Sequence, residues 1–179
     1  ATVKLRREQG RLGRGEDVAE RFGQDLRAGG WLNSGADRDF VPEVLEETAE
    51  TRLVRDGNGA LLRRHKLHDS TPEHVDFAVK DRAAWEAQIK PFLVELDRRR
   101  IPFERYRNAK RYAAERERFF CWAGVAPFEQ MHPVCGHEYM LMGMALDPDW
   151  IHDMVMTFAR LTVRHLEVLF AEEGVPDGL

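Results

Sequence analysis

Several ordinary features of a protein chain are scarce here, and each scarcity excludes something. Cysteine occurs twice, at Cys121 and Cys135. Two thiols cannot make a disulfide framework, and they read as reduced cysteines of a cytoplasmic protein. No apolar run approaches the roughly 20 residues needed to cross a bilayer. The first 16 residues are charged and lack the apolar centre of a secretory signal. An excess of positive charge is also missing: 27 basic residues meet 31 acidic ones, a net charge of −4. That balance argues against nucleic-acid partners. No repeat at a solenoid period is visible.

What is present is a concentration of chemistry in residues 118–139, RFFCWAGVAPFEQMHPVCGHEY. An apolar run, 119–123, ends at Gly124, and Pro127 opens a segment holding Glu129, His132, Cys135, His137 and Glu138. This pattern predicts a buried strand, a tight turn and a helix start. In α/β proteins the loop beyond a strand's carboxyl end is the usual place for reacting groups.

The remaining chain supplies the frame. Residues 1–16 predict a flexible basic arm, and residues 17–179 one domain. Val18, Phe22 and Leu26 share helical spacing over 17–26, with Gly23 weakening the helix. Residues 27–40 read as loop. Residues 44–68 predict a hairpin about Asp56-Gly57-Asn58-Gly59, where Asp-Gly and Asn-Gly supply positive φ. Residues 68–72 form a loop, 75–79 a short strand, and Asp81 caps a helix from Arg82 to about Ile89. A charged helix covers 105–118. Asp147-Pro148-Asp149 starts a long helix that runs to about Glu173 and stops at Gly174 and Pro176. Strands alternating with helices predict an α/β fold with a parallel sheet, to which the hairpin is an antiparallel addition. Two or three strands cannot close a parallel barrel, which needs eight strands and about 250 residues. The pattern therefore predicts a chain that stops where another strand would begin.

Individual side chains admit two readings. Glu129, at the mouth of the predicted strand, suits a general base, or it compensates the helix N-terminus. His132 and Cys135 lie three apart and share a helical face, so with Cys121 they make a soft set suited to zinc. The other reading is a buried thiol and a hydrogen-bonded imidazole. His137, two residues beyond Cys135, is expected to point elsewhere, with Pro133 disturbing the helix between. Trp122 belongs to a core or to the wall of a flat pocket. His68 and His74 flank Ser70-Thr71-Pro72, a loop able to reach a site or simply to turn.

Three segments in order, PEVLEETAETRLVRDGNG, STPEHVDFAVKDRAAWE and GVAPFEQMHPVCGHEYMLMGMALDPDWIHDM, resemble the uroporphyrinogen decarboxylase-like superfamily, in its divergent bacterial branch. The resemblance spans residues 17–179. It implies the N-terminal portion of a (β/α)8 TIM barrel, with its site at the carboxyl ends of the strands. It implies one of two activities. The first is cofactor-free decarboxylation of acetate side chains on a tetrapyrrole, as in porphyrin biosynthesis. The second is zinc-dependent methyl transfer between a corrinoid and a thiol. In that frame Glu129 and His132 are the catalytic candidates, and Trp122, Phe128 and His74 the substrate-binding ones. Cys121, His132 and Cys135 are the metal candidates. The substrate would be a tetrapyrrole or a methyl-corrinoid. A partial barrel is further expected to self-associate, or to pair with its missing C-terminal half, and by itself to act through association.

Overall fold

The computed structural model describes residues 2–68, 70–125 and 127–179. Asp69 of the expected 68–72 loop and Ala126 of the expected turn lie outside them. In chain order the elements are α1 (Thr2–Glu8), α2 (Val18–Arg21), β1 (Leu26–Ala28), β2 (Glu43–Glu47), β3 (Thr51–Arg55), β4 (Ala60–His65), β5 (Glu73–Phe77), α3 (Arg82–Gln88), α4 (Phe103–Glu115), β6 (Phe119–Cys121), α5 (Pro127–Leu146) and α6 (Pro148–Glu173). Single 3-10 turns cover Lys90–Phe92 and Arg98–Arg100. None of the described helices is long and apolar enough to cross a membrane.

The chain divides into two compact units. One comprises residues 1–30, 104–123 and 175–179, the other residues 31–103 and 124–174. In the first, β1 and β6 pair in parallel, Leu26 opposite Phe119 and Ala28 opposite Cys121. Gly178 adds a parallel bridge to Cys121. The core of this unit is aromatic. Tyr106, on α4, meets Phe120 and Trp122 edge to face, with ring centroids 5.0 and 4.9 Å apart, a favoured arrangement of ring quadrupoles. Gly29 lets the chain leave β1 against these rings, since a Cβ there would fall 2.7 Å from Phe120 and Trp122 carbon atoms.

The second unit holds an antiparallel meander in the order β2-β3-β4-β5. Its β3–β4 turn forms where the sequence predicts, but of its two glycines only Gly59, and not Gly57, supplies a positive φ. Asp56 Oδ1 accepts the backbone N–H groups of Asn58 and Ala60, and Gly59 takes φ +76°. Helices α3, α5 and α6 supply most of the core: Trp85, Met131, Val134, Cys135, Met140, Trp150, Met154, Phe158 and Leu161 are all buried there. The caps also fall where predicted, Asp81 accepting from Ala84 N–H and Asp147 from Trp150 N–H. Gly143 brings α5 against α6, because a Cβ would sit 2.8 Å from Ile151.

The fold corrects the predicted architecture. It is a mixed α/β structure with a two-stranded parallel sheet and a four-stranded antiparallel one, and the described residues form no part of a (β/α)8 TIM barrel. The physical reason is visible at β5. Residues 66–72, which join it to β4, are too short for the crossover of a dozen or more residues that a parallel pair requires. β5 therefore joins β4 antiparallel, Ala60 opposite Phe77, and the predicted hairpin grows into a meander. The helix expected over 17–26 closes at Arg21, with Phe22 as its C-cap and Gly23 at φ +59°. Leu26–Ala28 then pairs with a strand more than ninety positions away, which local periodicity does not reveal.

Candidate functional site

The reactive side chains of α5 meet β5 in a row of rings within the second unit. Phe128, His137, His132, His74 and Phe77 follow one another with centroid separations of 6.3, 4.4, 5.2 and 5.6 Å. His74 and Phe77 come from β5, and the other three from the first ten residues or so of α5. His132 and His137 are stacked, with 29° between their planes, whereas His74 stands edge-on to His132 at 77°.

One glycine makes this possible. Gly136 adopts φ 68° and ψ 167°, interrupting the helical path of α5. The departure from helical geometry carries His137 onto the ring of His132, where an unbroken helix would send it elsewhere. Gly136 also lies against Phe77: a Cβ would fall 2.4 Å from that ring. The backbone conformation is one that glycine alone adopts readily. Pro133, expected to disturb the helix, is accommodated within it, and the break occurs at Gly136.

His132 is the enclosed member of the trio. Its Nδ1 is buried and has no hydrogen-bond partner among the described residues. Burial pushes its pKa below the ordinary value, and repulsion from His137 and His74 acts in the same direction, while the carboxylate of Glu129 opposes both. His74 and His137 are exposed. Burial thus favours the neutral form of His132, which lies beside two exposed imidazoles. Neighbouring imidazoles are the side-chain type suited to general acid–base chemistry.

Of the predicted site residues, the fold brings His74, His132 and Phe128 into this row, with Glu129 at the start of α5 and electrostatically coupled to His132. His137 and Phe77 were not foreseen as members. An isolated glycine inside an apolar helical pattern was the signal for both. Trp122 and Cys121 belong to the other unit. Trp122 is fully buried against Tyr106, as a core residue is. Cys135 is buried on the core side of α5, its Sγ–H donating to Met131 O, and burial pushes the thiol up to about 12. Among the described residues, no group of three His, Cys, Asp or Glu side chains is arranged to hold a metal ion.

A cavity of about 420 Å3 shares Phe77 with the ring row. Phe40, Phe92 and Leu61 contribute apolar walls, whereas Asp37, Asp56 and Asp76 contribute carboxylates. Arg55 adds a guanidinium to the lining, and Asp76 is paired with Lys80. No family model, no curated protein and no solved structure matches this chain.

Proposed function

We propose that this chain is a uroporphyrinogen decarboxylase-like enzyme in which the His74–His132–His137 trio moves protons during loss of CO2 from an acetate side chain of a tetrapyrrole. The observation that carries the reading joins two of the resembling segments. STPEHVDFAVKDRAAWE contributes His74, GVAPFEQMHPVCGHEY contributes His132 and His137, and the rings of His74 and His132 lie 5.2 Å apart.

The chemistry needs no cofactor. A protonated imidazole, His137 or His74, donates to a pyrrole ring carbon, turning the ring into an electron sink. The bond between the methylene and carboxylate carbons breaks, its electron pair flows into the ring, and CO2 leaves. The methylene carbon then takes a proton from solvent water, and the ring returns its own to neutral His132. The hydroxide formed is neutralised by the proton His132 gained, the spent imidazole donor recovers its proton from solvent, and the net change is R–CH2–COO⁻ + H⁺ → R–CH3 + CO2. His132 is suited to the accepting role because burial and its neighbours favour the neutral ring. Phe128 and Phe77 offer apolar faces at either end of the row for a flat substrate.

The test is anaerobic incubation with uroporphyrinogen, oxidation of the products and chromatographic separation by carboxyl number. Porphyrins with fewer than the starting carboxyl groups are expected. H132Q is expected to slow their formation by about 100-fold or more, the usual contribution of a general acid or base. No product from the wild-type chain at protein concentrations matching the substrate, or an unimpaired H132Q, would overturn the proposal. Zinc-dependent demethylation of a methyl-corrinoid by a thiol, without porphyrinogen turnover, would assign methyl transfer instead.

A further inference from the structure

Helix α6 bounds a second place whose chemistry is unrelated to the imidazoles. A cleft of about 200 Å3 lies between Lys90 and one face of α6, where Asp153, Thr157, Arg160 and Arg164 recur at helical spacing. Three cations against one carboxylate leave two positive charges. The carboxylate is already occupied: Asp153 Oδ2 accepts from Trp85 Nε1 at 2.8 Å, and Oδ1 accepts from Lys90 Nζ at 2.9 Å.

Neither guanidinium group has a carboxylate within ion-pair distance among the described residues, although Arg160 acts on Asp153 through its charge. Arg164 donates to the backbone carbonyls of Leu93 and Val94, which fix its position without neutralising its charge. Its buried Nε has no hydrogen-bond partner among the described residues. Arg160, which is exposed, has neither an ion pair nor a hydrogen bond among the described residues. Thr157 is 5 % exposed, and its hydroxyl makes no hydrogen bond to the described residues. A held guanidinium, a second one nearby, an ammonium and a hydroxyl offer more donors than one carboxylate can accept.

We infer that this cleft binds a phosphoryl group, as inorganic phosphate or as the head of a phosphomonoester. A dianion matches the two uncompensated charges, and the planar forks of arginine suit phosphate oxygens. Arg164 is the fixed contact, Arg160 closes from solvent, and Thr157 donates from the helix surface. Nothing in this assignment depends on porphyrinogen chemistry.

Titration calorimetry of the full chain with sodium phosphate at constant ionic strength tests it, with sodium chloride as the reference. Saturable one-site binding is expected for phosphate and not for chloride. R160Q removes a side chain with no ion pair or hydrogen bond among the described residues, and is expected to weaken binding by about tenfold or more, the worth of a charge-assisted bond. T157V, which preserves shape, is expected to weaken it by less. K80Q, which removes a cation paired with Asp76, should leave it unchanged. Glycerol 3-phosphate separates the sources: tighter binding than inorganic phosphate assigns an ester, and equal or weaker binding assigns the free ion. Heat no greater than that of chloride, or an R160Q chain that binds phosphate as tightly as wild type, would overturn the inference.

Discussion

His137 lies stacked on His132 at 4.4 Å, although the two are five positions apart in one helical segment. Five positions on a regular α-helix differ by about 140° in direction, so the contact requires a break in the helix. The break is at Gly136, whose backbone lies in a region closed to residues with a Cβ.

Gly136→Ala is therefore expected to cost at least about 2 kcal/mol, from backbone strain and from collision with Phe77. Urea unfolding measures the loss. The same substitution should separate the two imidazoles, and with the repulsion relieved the His132 titration should move upward. Its ring C–H resonance, followed by NMR against pH, reports that movement. A chain of unchanged stability and unchanged His132 titration would refute the role given to Gly136.

Stability should fall as solutions become mildly acidic. Burial lowers the folded-state pKa of His132 and of His165, and the latter ring also sits between Leu161 O and the Asp97 backbone. Below the ordinary imidazole value of about 6.5 the unfolded chain binds protons that the folded chain refuses. The unfolding free energy is thus expected to be level at about pH 7–8 and to decline from about 6.5 downward, before the carboxylates titrate. H132Q should reduce the slope. Denaturant titrations across this range check it, and a flat profile through the imidazole window would contradict the assignment.

Arg100 is 2 % exposed and donates to the carbonyls of Asn33, Gly35, Ala36 and Phe92. It holds the segment after Trp31 against the 3-10 turns. Arg100→Met leaves those acceptors unpaired in the interior and is expected to cost about 3–5 kcal/mol. Thermal and urea denaturation of the variant measure this, and a loss below about 1 kcal/mol would show that water replaces the guanidinium at no net penalty.

The two thiols should differ in reactivity. Cys121 is partly exposed, whereas Cys135 is buried and protonated far above neutral pH. Iodoacetamide at about pH 8 is expected to modify Cys121 while sparing Cys135 until denaturant is added, because the thiolate is the nucleophile. Peptide mass mapping after timed quenching distinguishes them. Equal rates at both sites in the folded chain would count against the packing of α5.

Much of this was legible in the sequence because it depends on near neighbours. The Asp56–Gly59 turn, the Asp81 and Asp147 caps and the course of α6 each follow from a few adjacent residues whose side chains satisfy local backbone groups. Residues 118–139 were likewise recognisable as the chain's densest collection of acid–base groups. His132, Phe128 and His74 were singled out, yet no pattern stated that they would meet.

The chain by itself determined where elements start and stop, since capping, turn and helical-spacing signals act over three or four residues. Only the tertiary structure decided which elements pair. β1 found β6 across most of the chain, β5 turned back on β4 because its connection was short, and the predicted barrel segment became a small parallel pair and an antiparallel meander. It also decided the site, by setting β5 beside α5 and placing the glycine between two histidines against Phe77. Strand partners and ring neighbours depend on hydrogen bonds and packing between distant residues, and hydrophobic periodicity carries no information about those distances.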